Sequence, residues 1–563
     1  MSTPTSIRDV DLRPVPGKQY FSVTREWREE FIYFLLVDRF HDGTVRRPHH
    51  GAARSRGSGT PAQLAGFCGG KLARIAHHLD YIAGLGCTAI WLSPIFENNP
   101  TSYHGYAIQN YLDVDPRFGT KQDLCDLVDA AHARDMRVIL DVVINHSGDN
   151  WQYPFDAAYE YAGDQQFPLA AWRRPDRPVP VELRNPDFYH RRGRIRDSGW
   201  DSYPESQHGD LYALKDYDND DDADGSALLN VLIRAHAYWI READVDGFRV
   251  DAVKHLGELA AARFCSSIRE YAYGLGKRRF FLFGEIASND GVIDRYIGQN
   301  TSRQDGDRTV FFGLDSVLDF PLSWALPDVI KGLADPAPLF ARLEAQRNRA
   351  LNRGEIGRYL VTFLDNHDQI GKQPPRRFAA GVPDEQVDEQ VIAGIGYLLC
   401  ALGTPCLYYG TEQGFSGQGG TDQIREAMFD LDAPGVDHLD PECRIYQQIG
   451  KIAAVVRATP ALRFGRMYFR EISGDGVTFG LPFGTDYTLA FSRILYGQEV
   501  LVAYNVSSHE RADYVIVDGD VQRGRDAMRF LYGAAGSVPI DVDGQGRRFV
   551  RLRLGARQFV VLA

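Results

Sequence analysis

A (β/α)8 barrel with a subdomain inserted after its third strand and a C-terminal antiparallel β-sandwich is the fold class this 563-residue sequence predicts. Three observations predict it. Short apolar runs without polar alternation recur between runs of helical periodicity, as strands buried on both faces of a parallel sheet require. Residues 147–212 interrupt that rhythm with aromatic residues, prolines and arginines. After about residue 463 the pattern changes to period two, which fits an antiparallel all-β domain.

Taken in order, residues 1–25 carry little periodic signal and read as an N-terminal extension. Phe31–Val37 is a buried strand, and the Gly/Arg-rich stretch Arg46–Gly59 is a loop by composition. Leu72–Leu85 has helical spacing and stops at Gly86, a C-cap residue. Ala89–Leu92 is the second strand, Lys121–Asp135 a helix, and Val138–Ile144 the third strand. Beyond the insert, Ala227–Glu242 and Glu258–Tyr273 read as helices, Gly247–Val250 and Phe280–Phe283 as strands. Ser316–Phe320, Tyr359–Leu364 and Pro405–Tyr409 bring the strand count to eight, the number that closes a parallel barrel. Six period-two runs follow: Met467–Ile472, Val477–Leu481, Tyr487–Arg493, Glu499–Tyr504, Tyr514–Val517 and Phe549–Leu554. The division is therefore 1–25 extension, 26–146 with 213–462 barrel, 147–212 insert and 463–563 β domain.

Composition narrows the partners. With 63 basic against 75 acidic residues, the chain has no basic excess to draw nucleic acid or an anionic membrane. The longest apolar stretch, Ile395–Tyr409, is broken by Gly396, Gly403, Thr404 and Pro405, so it does not read as a membrane span. The N-terminal MSTPTSIRDVDLRPVPGK lacks the apolar core of a secretory signal, and seven scattered cysteines contain no CxxC pair. A reducing cytoplasm is the expected location.

The chemistry gathers where barrel strands end, because those ends converge on one face. The third strand ends DVVINH, presenting Asp141, Asn145 and His146; the fourth ends GFRVDAVKH, presenting Arg249, Asp251, Lys254 and His255. The fifth ends FLFGEI with Glu285, and the seventh FLDNHD with Asp365, Asn366, His367 and Asp368. Arg249 beside Asp251 alone would read as an ordinary ion pair. Carboxylates converging from separate strands raise one another's pKa at a cost in stability, which a purely structural role does not explain. The acidic run Asp216–Gly225 begins like a D-x-D-x-D-G calcium loop at Asp220, Asp222 and Asp224. The closing glutamate would fall at Val231, so a solvated acidic loop is expected there. The arginine-rich stretch Arg173–Arg196 receives no role.

DVVINH, GFRVDAVKH, FGEI and FLDNHD together resemble the four signature regions of the α-amylase family of glycoside hydrolases (family 13). YHGYAIQNYLDVDPRFGT, HGDL, GTPCLYYGTEQG and the opening IYFLLVDRFHDG are similar to its secondary signatures, in order from about residue 30 to 460. The resemblance implies a retaining mechanism with Asp251 as nucleophile, Glu285 as acid/base and Asp368 as transition-state stabiliser. It implies sugar contacts from Tyr106, His146, Arg249, Lys254, His255 and His367. Lys254 and His255 resemble enzymes of α-1,4-glucans, so malto-oligosaccharides or starch-like α-glucans are the expected substrates. Ala107, Gln109 and Asn110 depart from the family pattern beside Tyr106. No cofactor is required. A structural calcium, where present, would fall to Asn145, Asp210 and His255, since hard oxygen ligands suit it.

Two rival activities use the same residues differently. A transglycosylase shares the glycosyl-enzyme intermediate and changes only the acceptor. A non-catalytic binding barrel would be expected to have lost members of the triad, all of which stand here. A metal-dependent barrel hydrolase would want HxH near the first strand, where only Asp38 and His41 occur.

Overall fold

The computed structural model describes all residues except 1–2, 45, 49–58, 155–158, 221–222, 298–301, 306–307, 312, 349–355 and 432–434. All eight expected barrel strands form: β1 (Ile32–Leu35), β2 (Ala89–Leu92), β3 (Arg137–Val142), β4 (Gly247–Val250), β5 (Phe281–Gly284), β6 (Ser316–Val317), β7 (Val361–Thr362) and β8 (Thr404–Tyr408). They run parallel in the order β6-β5-β4-β3-β2-β1-β8-β7. A parallel bridge from Leu318 to Val361 and the 2.8 Å bond from Asp319 N to Val361 O close the ring. Every residue of β1–β5 is buried, which is why these runs lack alternation.

Helices cover the outside, the longest being Ala223–Ala243 and Glu258–Gly274. Thr120 caps Lys121–His132 in a reciprocal capping box with Asp123. The expected single helix over 72–85 is instead two, Leu72–His77 and Leu79–Gly84. His78 breaks it at φ −109°, ψ 13°, its N–H turning to Ile75 O while its ring packs on His41. The N-terminal extension is not a loose tail. Ile7 and Val10 are buried, Phe21 stacks on His132 at 3.9 Å, and Lys277 Nζ donates to Phe21 O at 3.0 Å.

The insert has its own aromatic centre, in which Trp151, Tyr153, Tyr159 and Phe167 meet at 4.6–5.8 Å between ring centroids. It is anchored where His146–Ser147 pairs antiparallel with Lys215–Asp216, at the carboxyl end of β3.

The C-terminal domain is one nine-stranded antiparallel sheet: β9 (Arg466–Phe469), β10 (Ile472–Ser473), β11 (Thr488–Leu495), β12 (Gln498–Asn505), β13 (Arg511–Ile516), β14 (Ala527–Tyr532), β15 (Ser537–Val542), β16 (Arg548–Leu554) and β17 (Phe559–Leu562). The order is β9-β11-β12-β17-β14-β15-β16-β13-β10. The sheet folds over so that Leu501 and Ala503 of β12 share a core with Val515 of β13 and Leu552 of β16. The alternate residues Val502 and Tyr504 belong to the core continuous with the barrel. Val477–Leu481 is not a strand: Val477 and Leu481 are exposed, and only Gly480 bridges to Ile472.

Candidate active site

The parallel register carries each charged residue to the same end of the barrel. Arg249 in β4 stands opposite Asp141 in β3, and Asp251 follows two residues later on the same face. Asp251 N donates to Val142 O at 2.9 Å and Glu285 N to Val250 O at 2.9 Å, so each carboxylate begins where the neighbouring strand stops. Ala252 then turns left-handed (φ 51°, ψ 35°), and its N–H donates to Glu285 Oε2 at 3.2 Å.

Arg249, fully buried, organises the group. Its Nη1 donates to Asp141 at 2.9 and 3.1 Å and to Asp251 Oδ1 at 2.5 Å, while Nη2 lies 3.1 Å from Glu285 Oε1. Asp141 is further held by Tyr106 Oη at 2.8 Å and Trp91 Nε1 at 3.2 Å. Three carboxyls therefore share one cation. Burial raises the Glu285 carboxyl to about 7; Arg249 opposes the shift, and Asp251 and Asp368 add to it. Burial raises Asp251 as well, to about 7, against the pull of Arg249. Because Asp251 holds the shorter contact to the guanidinium, the proton of this interacting pair is assigned to Glu285.

Asp368 is set apart electrostatically. Arg425 Nη2 donates to its Oδ1 at 2.6 Å and His367 Nε2 lies 3.0 Å from its Oδ2. Despite burial, which would raise it, these partners hold its carboxyl far below the usual carboxylate range. Arg425 Nε also donates to His367 O at 2.9 Å, and Nη1 reaches Tyr103 Oη at 3.1 Å. The Tyr106 ring lies parallel to His367 at 5.3 Å and close to parallel with His104 at 5.7 Å. Burial lowers the pKa of His146 to about 3 and of His255 to about 4, so both act as neutral hydrogen-bonding groups at neutral pH. His146 Nε2 and His367 Nδ1 are buried without hydrogen bonds. Unpaired buried polar atoms at strand ends suit a ligand rich in hydroxyls.

The remaining expected residues, Lys254 and His255, lie in the short turn of helix Val253–His255 after Asp251. Lys254 Nζ lies 3.0 Å from Asp201 of the insert, and Lys254 lines a cavity of about 770 Å³ with Trp200, Tyr203 and Tyr296. His255 is turned from it, its Nδ1 2.6 Å from Ser206 O. Asp141 ends a strand recognisably, but its contact with Arg249 was not assigned from sequence. Arg425 lies on a loop that no motif marks, and His104 lies within the segment YHGYAIQNYLDVDPRFGT without having been singled out.

Of the residues expected to hold calcium, Asp210 is engaged otherwise. Asp210 accepts from Tyr153 Oη at 2.9 Å and from Asp216 N at 3.0 Å, and Lys215 Nζ stands 3.6 Å away with Asp149 at 3.4 Å. Asn145 turns its amide to Asp216 at 3.3 Å, leaving Oδ1 buried and unpaired. A lysine ammonium thus already supplies positive charge beside Asp210, while Asn145 Oδ1 remains an open acceptor. The acidic run opens buried, with Asp216 Oδ2 2.6 Å from His190 Nδ1, and reaches solvent at Asp220, as the expected solvated loop would. Asp222 lies outside the described residues.

A family model described as "Alpha amylase, catalytic domain" matches residues 34–447. An α-amylase of Streptomyces lividans is 29% identical over 599 residues, spanning 95% of this chain and 60% of that protein. A cyclomaltodextrin glucanotransferase of Klebsiella oxytoca is 27% identical, spanning 82% of this chain and 70% of that protein. The crystal structure of an α-amylase from Geobacillus thermoleovorans complexed with acarbose superimposes with a TM-score of 0.70 at 28% identity, covering 96% of this chain and 98% of that one. The chain spans about three-fifths of the Streptomyces relative's length. Since the matched segment runs from the middle of β1 through β8 and holds every carboxylate these strands deliver to one end, this chain belongs to the α-amylase family.

Proposed function

We propose that the chain is a retaining α-glycoside hydrolase of α-1,4-linked gluco-oligosaccharides or starch-like glucans. One observation carries this reading: Arg249 holds Asp251 and Glu285 on the two arms of a single guanidinium. Retaining hydrolysis needs two carboxyls about 5–5.5 Å apart, one ionised and one protonated. Asp251, kept ionised by Arg249, attacks the anomeric carbon. Glu285 gives its proton to the glycosidic oxygen as that bond breaks. Water then loses a proton to Glu285 and displaces Asp251, so the anomeric configuration is inverted twice and retained. Asp368, fixed anionic by Arg425 and His367, faces the positive charge of the oxocarbenium-like transition state. Lys254 and the aromatic cavity beside it would receive the leaving glucan.

The glucanotransferase relatives support a second reading, in which a sugar hydroxyl replaces water in the last step. All seven cysteines are free, which supports a reducing, cytoplasmic location. Among the described residues no helix is long and apolar enough to cross a membrane.

The test is incubation with maltose, malto-oligosaccharides, soluble starch, cyclodextrin, sucrose, trehalose and isomaltose, with product length and anomer followed by chromatography and NMR. Shorter α-anomeric products are expected from the α-1,4 substrates. Initial β-anomers would overturn Asp251 as nucleophile, and products longer than the substrate would select the transferase.

A further inference from the structure

A second cluster lies at the seam between insert and barrel, and the proposed reaction does not use it. His190, in the insert, is buried with its Nδ1 2.6 Å from Asp216 Oδ2. Its other nitrogen, Nε2, is buried and makes no hydrogen bond, although Asp218 Oδ1 and Asp220 Oδ2 stand 3.3 and 3.7 Å away. His208 stacks on it at 4.4 Å between ring centroids and brings Nε2 to 3.5 Å from Asp220 Oδ1. One ligand atom each from His190, His208 and Asp220 thus lies within 4.8 Å of the others. Donors around a tetrahedral ion at 2.0–2.1 Å sit about 3.4 Å apart, so the three groups would draw together by up to about 1.4 Å on loading, which the half-exposed Asp220 side chain allows. A ring nitrogen facing carboxylates outside hydrogen-bonding geometry leaves room for a cation between them.

We propose that His190, His208 and Asp220 bind a divalent transition metal of the zinc class. Two imidazoles and a carboxylate suit such an ion better than calcium, which takes six to eight oxygens. Asp216 on the far nitrogen of His190 is the carboxylate partner that orients a metal-bound histidine. Asp220 also lines the cavity that holds Lys254, so the ion has an entry route and reaches the leaving side of the cleft. His208 Nδ1 faces Arg192 Nη1 at 2.9 Å, and the same nitrogen is 3.2 Å from Asp164. Loading therefore turns Arg192 fully to Asp164 and moves the His208 proton from Nε2 to Nδ1. The bound ion would clamp the insert to the segment leading into Ala223–Ala243.

The full chain, stripped with EDTA, is titrated with Zn²⁺, Ca²⁺ and Co²⁺ separately. One equivalent of Zn²⁺ is expected to bind and raise the melting temperature, and Co²⁺ to give the intense visible bands of tetrahedral coordination. His208→Gln and the half-exposed Asp220→Asn should weaken Zn²⁺ at least tenfold while leaving the metal-free melting temperature and circular dichroism unchanged. Asp220→Asn decides the matter should His190→Ala fail to fold. Zn²⁺ binding indifferent to both conservative variants, or a Co²⁺ spectrum of a six-coordinate aquo ion, would overturn the site and leave His190 held by a proton. A stabilisation by Ca²⁺ equal to that by Zn²⁺ would overturn the metal class.

Discussion

At the residue scale, the division of labour between two similar carboxylates follows from unequal distances to one arginine. Glu285 has to carry a proton at neutral pH, and it is raised to about 7 by burial and by its anionic neighbours. Its acid form is present below that value and is lost above it. The rate should therefore fall about tenfold per pH unit on the alkaline limb, which a kcat/KM profile on a malto-oligosaccharide would show. Glu285→Gln should cost about 10²–10⁴-fold with such substrates. On α-glucosyl fluoride, whose leaving group needs no proton, the first step should recover and appear as a burst of fluoride, while steady turnover stays slow because water has lost its base. A raised carboxyl pKa also means that ionising Glu285 penalises the fold as pH rises from the unfolded value near 4.5 through about 7. The glutamine variant should accordingly melt no lower than wild type at pH 6 and higher at pH 8. A burst of fluoride slowed as much as malto-oligosaccharide cleavage would remove Glu285 from the acid role.

At the scale of elements, what could be read in the chain was whatever burial wrote into it. All eight barrel strands were legible because both their faces are covered, and the site residues followed because strand ends in a closed parallel barrel converge. In the C-terminal sheet, β14, β15 and β17 were missed: β14 and β15 bury one side chain each and lack an apolar rhythm, while β17 is a four-residue run buried throughout, without period-two alternation. Val477–Leu481 misled for the opposite reason, being apolar yet exposed. Arg425 and His104 reach the site from loops, where no periodicity places a side chain. Gly403 is a case in which a single residue decides an element. It enters β8 at φ +111°, and a Cβ there would fall 2.6 Å from Thr362 Cγ2 and 2.8 Å from Leu360 O. Gly403→Ala should cost about 2 kcal/mol or more, since the left-handed backbone and the collision with β7 add. A lowered melting temperature would register it; an unchanged one would mean that the β7–β8 pair can spread freely.

At the scale of the whole molecule, the barrel and the C-terminal sheet are one hydrophobic body joined through the helix Val387–Cys400. Tyr397 meets Phe491 edge-on at 5.3 Å, and Gly396 admits Phe559 so closely that a Cβ would lie 2.8 Å from its ring. Arg493 of β11 fixes the polar side of this contact. It is buried without a carboxylate partner, and its guanidinium donates to Cys400 O at 2.6 Å, to Ala401 O and to Gly465 O at 3.0 Å. Two of these carbonyls close the helix, where a cation is also favoured by the backbone dipole. Burial lowers the arginine to about 9, so the carbonyls must repay part of a desolvation cost. Arg493→Met removes that cost but strands three buried acceptors, each worth about 1–3 kcal/mol, so the net change should be destabilising. Arg493→Lys should rescue little, because one ammonium cannot span the carbonyls that a planar fork reaches. The wild type is expected to melt in one calorimetric transition. Arg493→Met should split it, with the C-terminal sheet departing first, whereas two transitions in the wild type itself would mean that the halves are not coupled through this contact.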